Sequence, residues 1–284
     1  MNLSNLTGKT ALVTGAASGI GRETALAFAR RGASLAICDL DEKGLGETGE
    51  RIRALGCDVL ARRVDVASRE QMREFAEAVH SEVDAVDILM NNAGVGLGAG
   101  FLDTSLDDWD WIVDINLKGV VHGCHFFVPK MVDRRRGGHV VNVSSAAGYF
   151  ASSPLSAYVA TKFAVLGLSE ALLDELATHG IGVTAVCPGI IDTPITRNSP
   201  LRGAVDTPEA RERVVEAYRK RGYRPERVAR NILKAIERRR PVAPISPEAW
   251  GLYYLKRLFP RAAWWLAHWG SERGRREMAS TAKS

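Results

Sequence analysis

The chain has 284 residues, 46% of them hydrophobic and 25% charged, which is enough to bury a full core and ordinary for a globular protein. Its formal net charge of +5 is uneven, since residues 221–284 hold 15 Lys or Arg against 5 Asp or Glu and the remainder is net negative. No nucleic-acid motif accompanies these basic residues, so we expect a solvated basic surface and no nucleic acid as partner, with a nucleic-acid binder as the weakest alternative.

The cysteines and the N-terminal segment bear on the compartment. The four cysteines are scattered and form no CxxC pair, which argues against a metal site and against a disulfide framework. Such cysteine usage fits a reducing compartment. Met1–Lys9 contains no apolar stretch, so we expect no signal peptide and a cytoplasmic location.

Short apolar segments alternate with helical patterns along most of the chain. Apolar residues at three- and four-residue spacing between the segments predict the helices. The predicted strands are Thr10–Thr14, Ser34–Asp39, Val59–Val66, Asp87–Asn91, His139–Ser144 and Gly182–Cys187. Strands separated by helices pair in parallel through right-handed crossovers, so we expect an α/β fold: a doubly wound parallel sheet (Rossmann fold) in three α/β/α layers.

A glycine-rich turn, Thr14–Gly21, follows the first predicted strand and leads into a helix. Glycines let the backbone turn sharply and let phosphate oxygens approach the amides, and the helix N-terminus adds unpaired N–H groups. The GxxxGxG spacing differs from GxGxxG, but the strand–turn–helix context favours a dinucleotide site over a turn without ligand. The predicted cofactor contacts here are Gly15, Ser18, Gly19, Ile20 and Gly21.

Asp39 ends the second predicted strand, 18 residues after Gly21. A carboxylate at this position accepts hydrogen bonds from ribose hydroxyls and repels a 2′-phosphate, which favours NAD over NADP. Leu40 follows it, so no adjacent arginine offers a phosphate clamp. Arg22 lies close by in sequence and leaves use of NADP open, and the alternative for Asp39 is a residue that ends the strand in a turn.

Tyr158 and Lys162 are four residues apart in a helical pattern and therefore share one helix face. A phenol has an ordinary pKa of about 10, and a nearby ammonium with a positive nicotinamide ring would lower it, making Tyr158 a proton donor and acceptor. Ser144 and Ser145 lie at the end of the fifth predicted strand, where ligand crevices open, and Ser145, thirteen residues before Tyr158, would donate to the substrate oxygen. The alternatives are an inert surface pair and, for the serines Ser144 and Ser145, a turn.

These motifs resemble those of the short-chain dehydrogenase/reductase family, in its single-domain branch with TGxxxGxG and YxxxK motifs. The resemblance runs from Gly8 to about Pro194, two thirds of the chain, with the segments in the expected order. The further matching segments are Asp65-Val66, Asn91-Asn92-Ala93-Gly94, Asn116 in INLKG, and Pro188-Gly189 followed by Thr193.

The resemblance implies an NAD(P)-dependent oxidoreductase that interconverts an alcohol and its carbonyl by hydride transfer, with NAD preferred. Asn116 would hold a water that links Lys162 to solvent, and Lys162 would also bind the nicotinamide ribose. The implied catalytic residues are Asn116, Ser145, Tyr158 and Lys162. The further implied cofactor contacts are Asp65 and Val66 at the adenine, Asn92, Ala93 and Gly94 along the cofactor, and Pro188, Gly189, Ile191 and Thr193 at the carboxamide. Asn91 and Asn92 as turn residues, and Asn116 as a polar helix residue, are the alternatives.

The predicted organisation is one dinucleotide-binding and catalytic domain, residues 1–245, with a substrate loop at about 194–223 and a basic C-terminal extension, 246–284. Many relatives end in a seventh strand at a subunit interface, whereas here Pro241–Ile245 allows at most a short strand limited by proline. The resemblance also implies a small-molecule substrate and a homodimer or homotetramer.

The extension is rich in tryptophan, with four of the six tryptophans between residues 250 and 269. Three hypotheses compete: the segment packs on the body or on a partner subunit, it lies on a membrane surface, or it covers the active site as a lid. Charges and Pro260 exclude a spanning helix. The apolar extension predicts a lipophilic substrate, such as a steroid, a retinoid or an acyl-chain compound.

The main alternative function is a catalytically inactive, dinucleotide-binding regulatory protein. A chain freed from catalysis has no need for Asn116, Ser145, Tyr158 and Lys162 together, which argues against it. An epimerase or dehydratase of the longer-chain relatives would need a larger C-terminal substrate domain than the roughly 90 residues after Thr193 provide.

Overall fold

The computed structural model describes residues 3–281, with side chains described to Gly270 and at Glu272. Residues 1–2 of the predicted domain and 282–284 of the predicted extension lie outside the described residues. Seven parallel strands form one sheet in the order β3-β2-β1-β4-β5-β6-β7. They are β1 (Thr10–Thr14), β2 (Ser34–Asp39), β3 (Val59–Arg63), β4 (Ile88–Asn91), β5 (Gly138–Val143), β6 (Ile181–Cys187) and β7 (Val242–Pro244).

Helices cover both faces of the sheet, which confirms the predicted doubly wound fold. The helices before residue 180 are α1 (Gly19–Ala29), α2 (Glu42–Arg53), α3 (Arg69–Glu82), α4 (Leu106–Val113), α5 (Gly119–Asp133) and α6 (Ser156–Ala177). Those after it are α7 (Ile195–Asn198), α8 (Pro208–Arg221), α9 (Pro225–Glu237), α10 (Pro247–Leu258) and α11 (Pro260–Thr281).

Two apolar clusters hold the three layers together. Because successive strand residues point to opposite faces, Val13 of β1 joins the cluster with α1, α2 and α9, and Leu12 joins the cluster with α3, α5 and α6. Phe28 on the first side and Phe127 on the second are fully buried. The sheet is therefore a rigid platform whose carboxyl edge carries the loops.

The predicted bounds of β1 and β2 are confirmed, and those of β4, β5 and β6 are wrong by one residue. The largest error is at β3, which was expected to reach Val66. The strand stops at Arg63 because the next carboxylate bonds locally: Asp65 accepts from the amide of Ala67 (2.9 Å). At the other edge, β7 spans only three residues and pairs with the end of β6, which confirms the expected short, proline-limited strand.

The strand order reverses between β1 and β4, and ligand crevices in such sheets open at this point. The turn 14–21 follows β1, and the segment 92–94 follows β4. The two therefore meet at the same edge.

The extension packs on the body through α10. The hydroxyl of Tyr149 donates to the carbonyl of Ala249 (2.7 Å), and the rings of Tyr149 and Tyr253 lie 5.3 Å apart, edge to face. Ala249 and Ala263 are fully buried, so the inner sides of α10 and α11 belong to the core. The packing hypothesis is thus confirmed for these inner sides.

Among the described residues, α6 alone has the length and apolarity of a membrane-crossing helix. A helix packed on a sheet meets the same criterion. Val165 and Leu176 of α6 lie in the core cluster with α3 and α5, and Ser169 accepts a hydrogen bond from Asn142 of β5 (3.0 Å). We therefore describe α6 as a layer of the fold.

Candidate active site

The glycine-rich turn is held by the loop after β4. The side-chain amide of Asn92 donates to the carbonyls of Thr14 (2.9 Å) and Gly15 (3.0 Å), and the hydroxyl of Thr14 accepts from the amides of Asn92 and Ala93. The structure thus brings two predicted cofactor segments together. Asn92 uses its side chain to fix the turn.

Two of the turn's glycines are required by close approach. Gly15 has a φ of +67°, and a Cβ there would lie 2.8 Å from the Cα of Ala93. A Cβ at Gly21 would overlap the carbonyl of Gly15. The turn therefore presents bare backbone at the N-terminus of α1, the arrangement that receives a pyrophosphate.

Asp39 lies beside this turn at the end of β2. One carboxylate oxygen accepts from the amide of Ala17 (2.8 Å), and the other accepts from the amide of Asp41 (3.1 Å). Each oxygen retains a further acceptor position. Asp65 and Val66 lie in the loop after the neighbouring β3, and Val66 packs against Gly119 of α5.

Arg22, the residue that left NADP open, is bonded to α2. Its guanidinium donates to the hydroxyl of Thr48 (3.0 Å) and the carbonyl of Gly44 (3.0 Å), and it pairs with Glu47 (3.2 Å). These three partners belong to α2. The cation is therefore engaged in joining α1 to α2.

Tyr158 and Lys162 face the carboxyl edge of the sheet from the first turns of α6. The ammonium of Lys162 lies 5.7 Å from the centre of the phenol ring and donates to the carbonyl of Val143 at the end of β5 (3.1 Å). Ser145 lies two residues beyond that strand and accepts from the amide of Ala147 (3.1 Å). All three side chains are thus placed by β5 and α6.

Burial dominates the titration of this pair. It raises the pKa of Tyr158 to about 12, and a hydrogen bond with Ser145 offsets only part of that rise. Burial also lowers the pKa of Lys162 to about 8. In the chain by itself, desolvation therefore decides the direction of the phenol pKa. A lowering by the ammonium together with a bound nicotinamide ring stays a prediction.

Asn116 lies in a π-helical segment, Asp114–Lys118, between α4 and α5. Its amide accepts from the Val95 amide (2.8 Å) and donates to the Val95 carbonyl (2.9 Å) and the Thr161 hydroxyl (3.2 Å). These bonds link the loop after β4 to α6, next to Lys162. Local π-helical turns of this kind occur often at functional sites.

The segment after β6 closes the other side of the site. The carbonyl of Pro188 accepts from the amide of Ala146 (2.8 Å), which ties this segment to the turn that holds Ser145. Ile191 and Thr193 are buried, and a Cβ on Gly19 would lie 3.3 Å from the Thr193 methyl. The predicted carboxamide segment therefore reaches the start of α1.

The sequence reasoning missed Glu248, in the first turn of α10. Its carboxylate accepts from the amide of Ile190 (3.1 Å) and pairs with Arg221 at the end of α8 (2.7 Å), and a Cβ on Gly189 would lie 2.6 Å from it. Burial acts to raise the pKa of Glu248, but hydrogen bonds including those from Arg221 and Ile190 lower it overall. An acidic first turn is common in helices, so no local signal pointed to these contacts.

The comparisons with known proteins agree with this architecture. A family model described as short chain dehydrogenase matches residues 9–202. The chain is 35% identical over 260 residues to SadH of Mycobacterium tuberculosis, a protein named as an oxidoreductase, covering 90% of this chain and 92% of SadH.

A second relative is longer. The protein named "Probable oxidoreductase EphD" of Mycobacterium tuberculosis is 42% identical over 254 residues, which is 88% of this chain but 43% of EphD. The chain therefore spans less than half the length of this relative.

Solved structures share the fold. A short chain dehydrogenase/reductase from Burkholderia phymatum, in complex with NAD, superposes with a TM-score of 0.83 at 31% identity, covering 92% of this chain and 96% of the other. A short chain dehydrogenase of Mycobacterium paratuberculosis bound to NAD has a TM-score of 0.74 at 27% identity, covering 85% and 97%. The chain belongs to the short chain dehydrogenase family.

Proposed function

We propose that the chain is an NAD-dependent oxidoreductase that interconverts a lipophilic alcohol and its carbonyl, with Tyr158 as general acid and base. The observation that carries this proposal is the placement of the Tyr158 phenol, next to Ser145 and 5.7 Å from the Lys162 ammonium, at the edge that also holds the glycine-rich turn. The family relationship and the NAD complexes of similar structures support it.

The residues present fit a dinucleotide. The bare backbone of the turn at Gly15, Gly19 and Gly21 would hold the pyrophosphate, and Asp39 the adenosine ribose. Asp65 and Val66 would contact the adenine, Lys162 the nicotinamide ribose, and Ile191 with Thr193 the carboxamide. The other proposed contacts are Ser18, Ile20, Asn92, Ala93, Gly94, Pro188 and Gly189. Bound there, a nicotinamide dinucleotide supplies the acceptor or donor of the hydride.

The protein's part in the reaction is to orient the substrate and to move one proton. Ser145 donates a hydrogen bond to the substrate oxygen. As the alcohol loses a hydride from carbon, Tyr158 in its deprotonated phenolate form would take the hydroxyl proton, and in the reverse direction the neutral phenol would return that proton. The Lys162 ammonium stabilises the phenolate by its charge. Asn116 holds the backbone at Val95 and the start of α6, and a water nearby would relay protons from Lys162.

NAD is favoured over NADP by the groups around Asp39. The carboxylate would repel a 2′-phosphate, and Arg22 is engaged with α2. Arg63, opposite Asp39 in β3, is an exposed cation on the other side of the carboxylate. We assign the preference to Asp39 because its carboxylate lies directly beside the turn.

A lipophilic substrate is supported by the surroundings of Tyr158. Tyr158 packs against the same small apolar cluster as Val95, Trp109 and Trp111, and Tyr149 and Tyr253 belong to the apolar cluster at the turn after Ser145. The segment proposed to cover the substrate, residues 194–223, contributes Tyr218 near the phenol. Apolar walls of this kind favour long or cyclic hydrocarbon substrates over short polar alcohols.

We also propose a homodimer or homotetramer. Val121 on α5 and Phe163 on α6 are exposed apolar residues on neighbouring helices, which suits a subunit contact. Light scattering on the purified chain should give a multiple of the 30.9 kDa monomer mass. A monomer mass at assay concentration would contradict it.

The test is absorbance at the reduced-nicotinamide band, with NAD or NADP and a panel of alcohols and ketones. We expect turnover with NAD and the highest kcat/KM for lipophilic secondary alcohols or their ketones. Better activity on short polar alcohols would contradict the substrate class. The absence of turnover, with NAD binding intact, would favour a regulatory protein.

A further inference from the structure

The outer sides of α10 and α11 form an exposed apolar surface, although their inner sides are buried. Its members are between 48 and 68% exposed, unusually high for such large apolar side chains. We define the aromatic face as Tyr254, Leu258, Phe259, Trp264, Trp265 and Trp269. A contiguous exposed surface of this composition marks an interaction site.

The tryptophans of the face are arranged in order along α11. Trp265 stacks on Trp269, with ring centres 6.4 Å apart and planes 12° from parallel, and Trp264 stacks on His268 at 5.5 Å and 7°. Indole rings combine a large apolar area with one N–H donor, which suits a boundary between hydrocarbon and water. Core contacts use such rings less often than leucine or valine.

The charges around the face are positive. From Ala249 to Gly270 the sequence holds Lys256, Arg257 and Arg261 and no Asp or Glu. Arg257 is directed to the body, since it lies over the Tyr253 ring and 3.7 Å from Glu170. Lys256 and Arg261 are exposed, and Arg261 borders a shallow depression that Trp264 and Trp265 also line.

We propose that the aromatic face docks on the surface of an anionic phospholipid bilayer. Tryptophans beside cations are the pattern of helices that lie in the interfacial plane, where apolar burial and attraction to anionic headgroups add. The 12 residues of α10 are too few to span a bilayer. The 22-residue α11 is long enough but too rich in charged residues, from Arg261 to Glu277, so we place the chain on the surface.

A second copy of the chain fits this face less well. A two-fold symmetric interface places the same patch on both sides, so Lys256 and Arg261 would face like charges. The carboxylates described beside the face, Glu170 and Glu272, contact Arg257 and His268 instead. An anionic headgroup layer supplies the opposite charge.

The experiment is flotation of the full chain with vesicles of phosphatidylcholine alone or mixed with an equal share of phosphatidylglycerol. We expect partition onto the anionic vesicles to exceed that onto the zwitterionic ones by roughly tenfold or more. Trp264→Ser with Trp265→Ser, and separately Lys256→Glu with Arg261→Glu, should each remove most of this binding. Phe101→Ser with Leu102→Ser, an even more exposed apolar pair elsewhere, should leave it unchanged.

Equal partition onto both kinds of vesicle, or binding that survives both sets of face variants, would overturn the proposal. A third outcome would also overturn it: the wild type does not bind vesicles, and the tryptophan variant has a lower mass in solution than the wild type. That result would identify the face as a contact between copies of the chain. Circular dichroism and NAD binding check that the variants fold. If the tryptophan variant does not fold, the charge-reversal variant decides, because its two side chains are exposed.

Discussion

Burial at Tyr158 and Lys162 works against the charged form of both side chains. The Tyr158 phenol keeps its proton, since its pKa rises to about 12. The Lys162 ammonium loses its proton more readily than an exposed lysine, since its pKa falls to about 8. A buried lysine whose main fixed partner is the Val143 carbonyl costs stability. We attribute its retention to the chemistry proposed for Tyr158.

Lys162→Met should therefore stabilise the chain while removing activity. With the ordinary lysine pKa of 10.5 and the folded value of about 8, we expect the free energy of unfolding at pH 7 to rise by about 1–3 kcal/mol. The unfolded chain binds more protons between these two pKa values, so wild-type stability rises with pH there. The variant's advantage should be full below pH 8 and shrink towards pH 10.5.

Urea unfolding at several pH values measures this difference. Lys130→Met, at the exposed end of α5, is the matched control and should change stability little at any pH. A Lys162→Met chain that is less stable than the wild type at pH 7 would show that the lysine is a structural support.

Asp39→Asn tests the assigned cofactor preference at a single residue. Asparagine keeps an acceptor for the Ala17 amide but removes the charge that would bind ribose hydroxyls and repel a phosphate. We expect the ratio of kcat/KM for NAD to that for NADP to fall roughly 100-fold, the equivalent of about 3 kcal/mol. The control is Asp58→Asn, at an exposed carboxylate before β3, which should leave the ratio unchanged. An unchanged ratio in Asp39→Asn would contradict the assignment and show that another residue sets the preference.

At the scale of elements, α10 acts on the segment after β6. Glu248 holds the Ile190 amide, and its ion pair with Arg221 joins the same segment to the end of α8. A side chain at Gly189 would displace the side chains of Ser246 and Glu248 at the start of α10. The extension is therefore part of the wall around the proposed nicotinamide position.

Glu248→Ala should weaken dinucleotide binding more than it slows the chemical step. Loss of a hydrogen bond to a charged acceptor frees the segment at Ile190, so we expect KM for NAD to rise about fivefold to tenfold and kcat to fall less than twofold. Titration calorimetry with NAD gives the same quantity without turnover. The control is Glu226→Ala, which removes an exposed acid in the first turn of α9. The role would be contradicted if both variants changed KM for NAD and kcat to the same extent.

Sequence patterns locate elements better than they locate their ends or their partners. Alternating apolar segments placed all six main strands, because a buried parallel strand is apolar on both faces. They missed where β3 ends, because the Asp65 side chain accepts a local hydrogen bond from the Ala67 amide where strand pairing was expected to continue. They also missed that Arg22 bonds α2 and that Glu248 reaches Ile190, 58 residues away, since such pairs depend on how the helices pack.

For the whole molecule, the sheet order explains why distant motifs form one site. The turn after β1, the segment after β4, the Ser145 turn after β5 and the segment after β6 all leave the same carboxyl edge. Motifs that follow strand ends were therefore predictable as neighbours, whereas the inner packing of α10 required the structure. The aromatic face lies on the outer sides of α10 and α11, so a docked chain would hold its site close to the lipid surface.

The most direct test of the account is Tyr158→Phe in the reduced-nicotinamide assay, with NAD binding measured in parallel. Phenylalanine keeps the ring against the apolar cluster that includes Leu97 and Ile112 but removes the hydroxyl that would carry the proton. We expect kcat to fall at least about 100-fold to 1,000-fold while the Kd for NAD changes less than about threefold. Turnover near the wild-type rate, with a folded chain, would contradict the assignment of Tyr158 as the proton carrier.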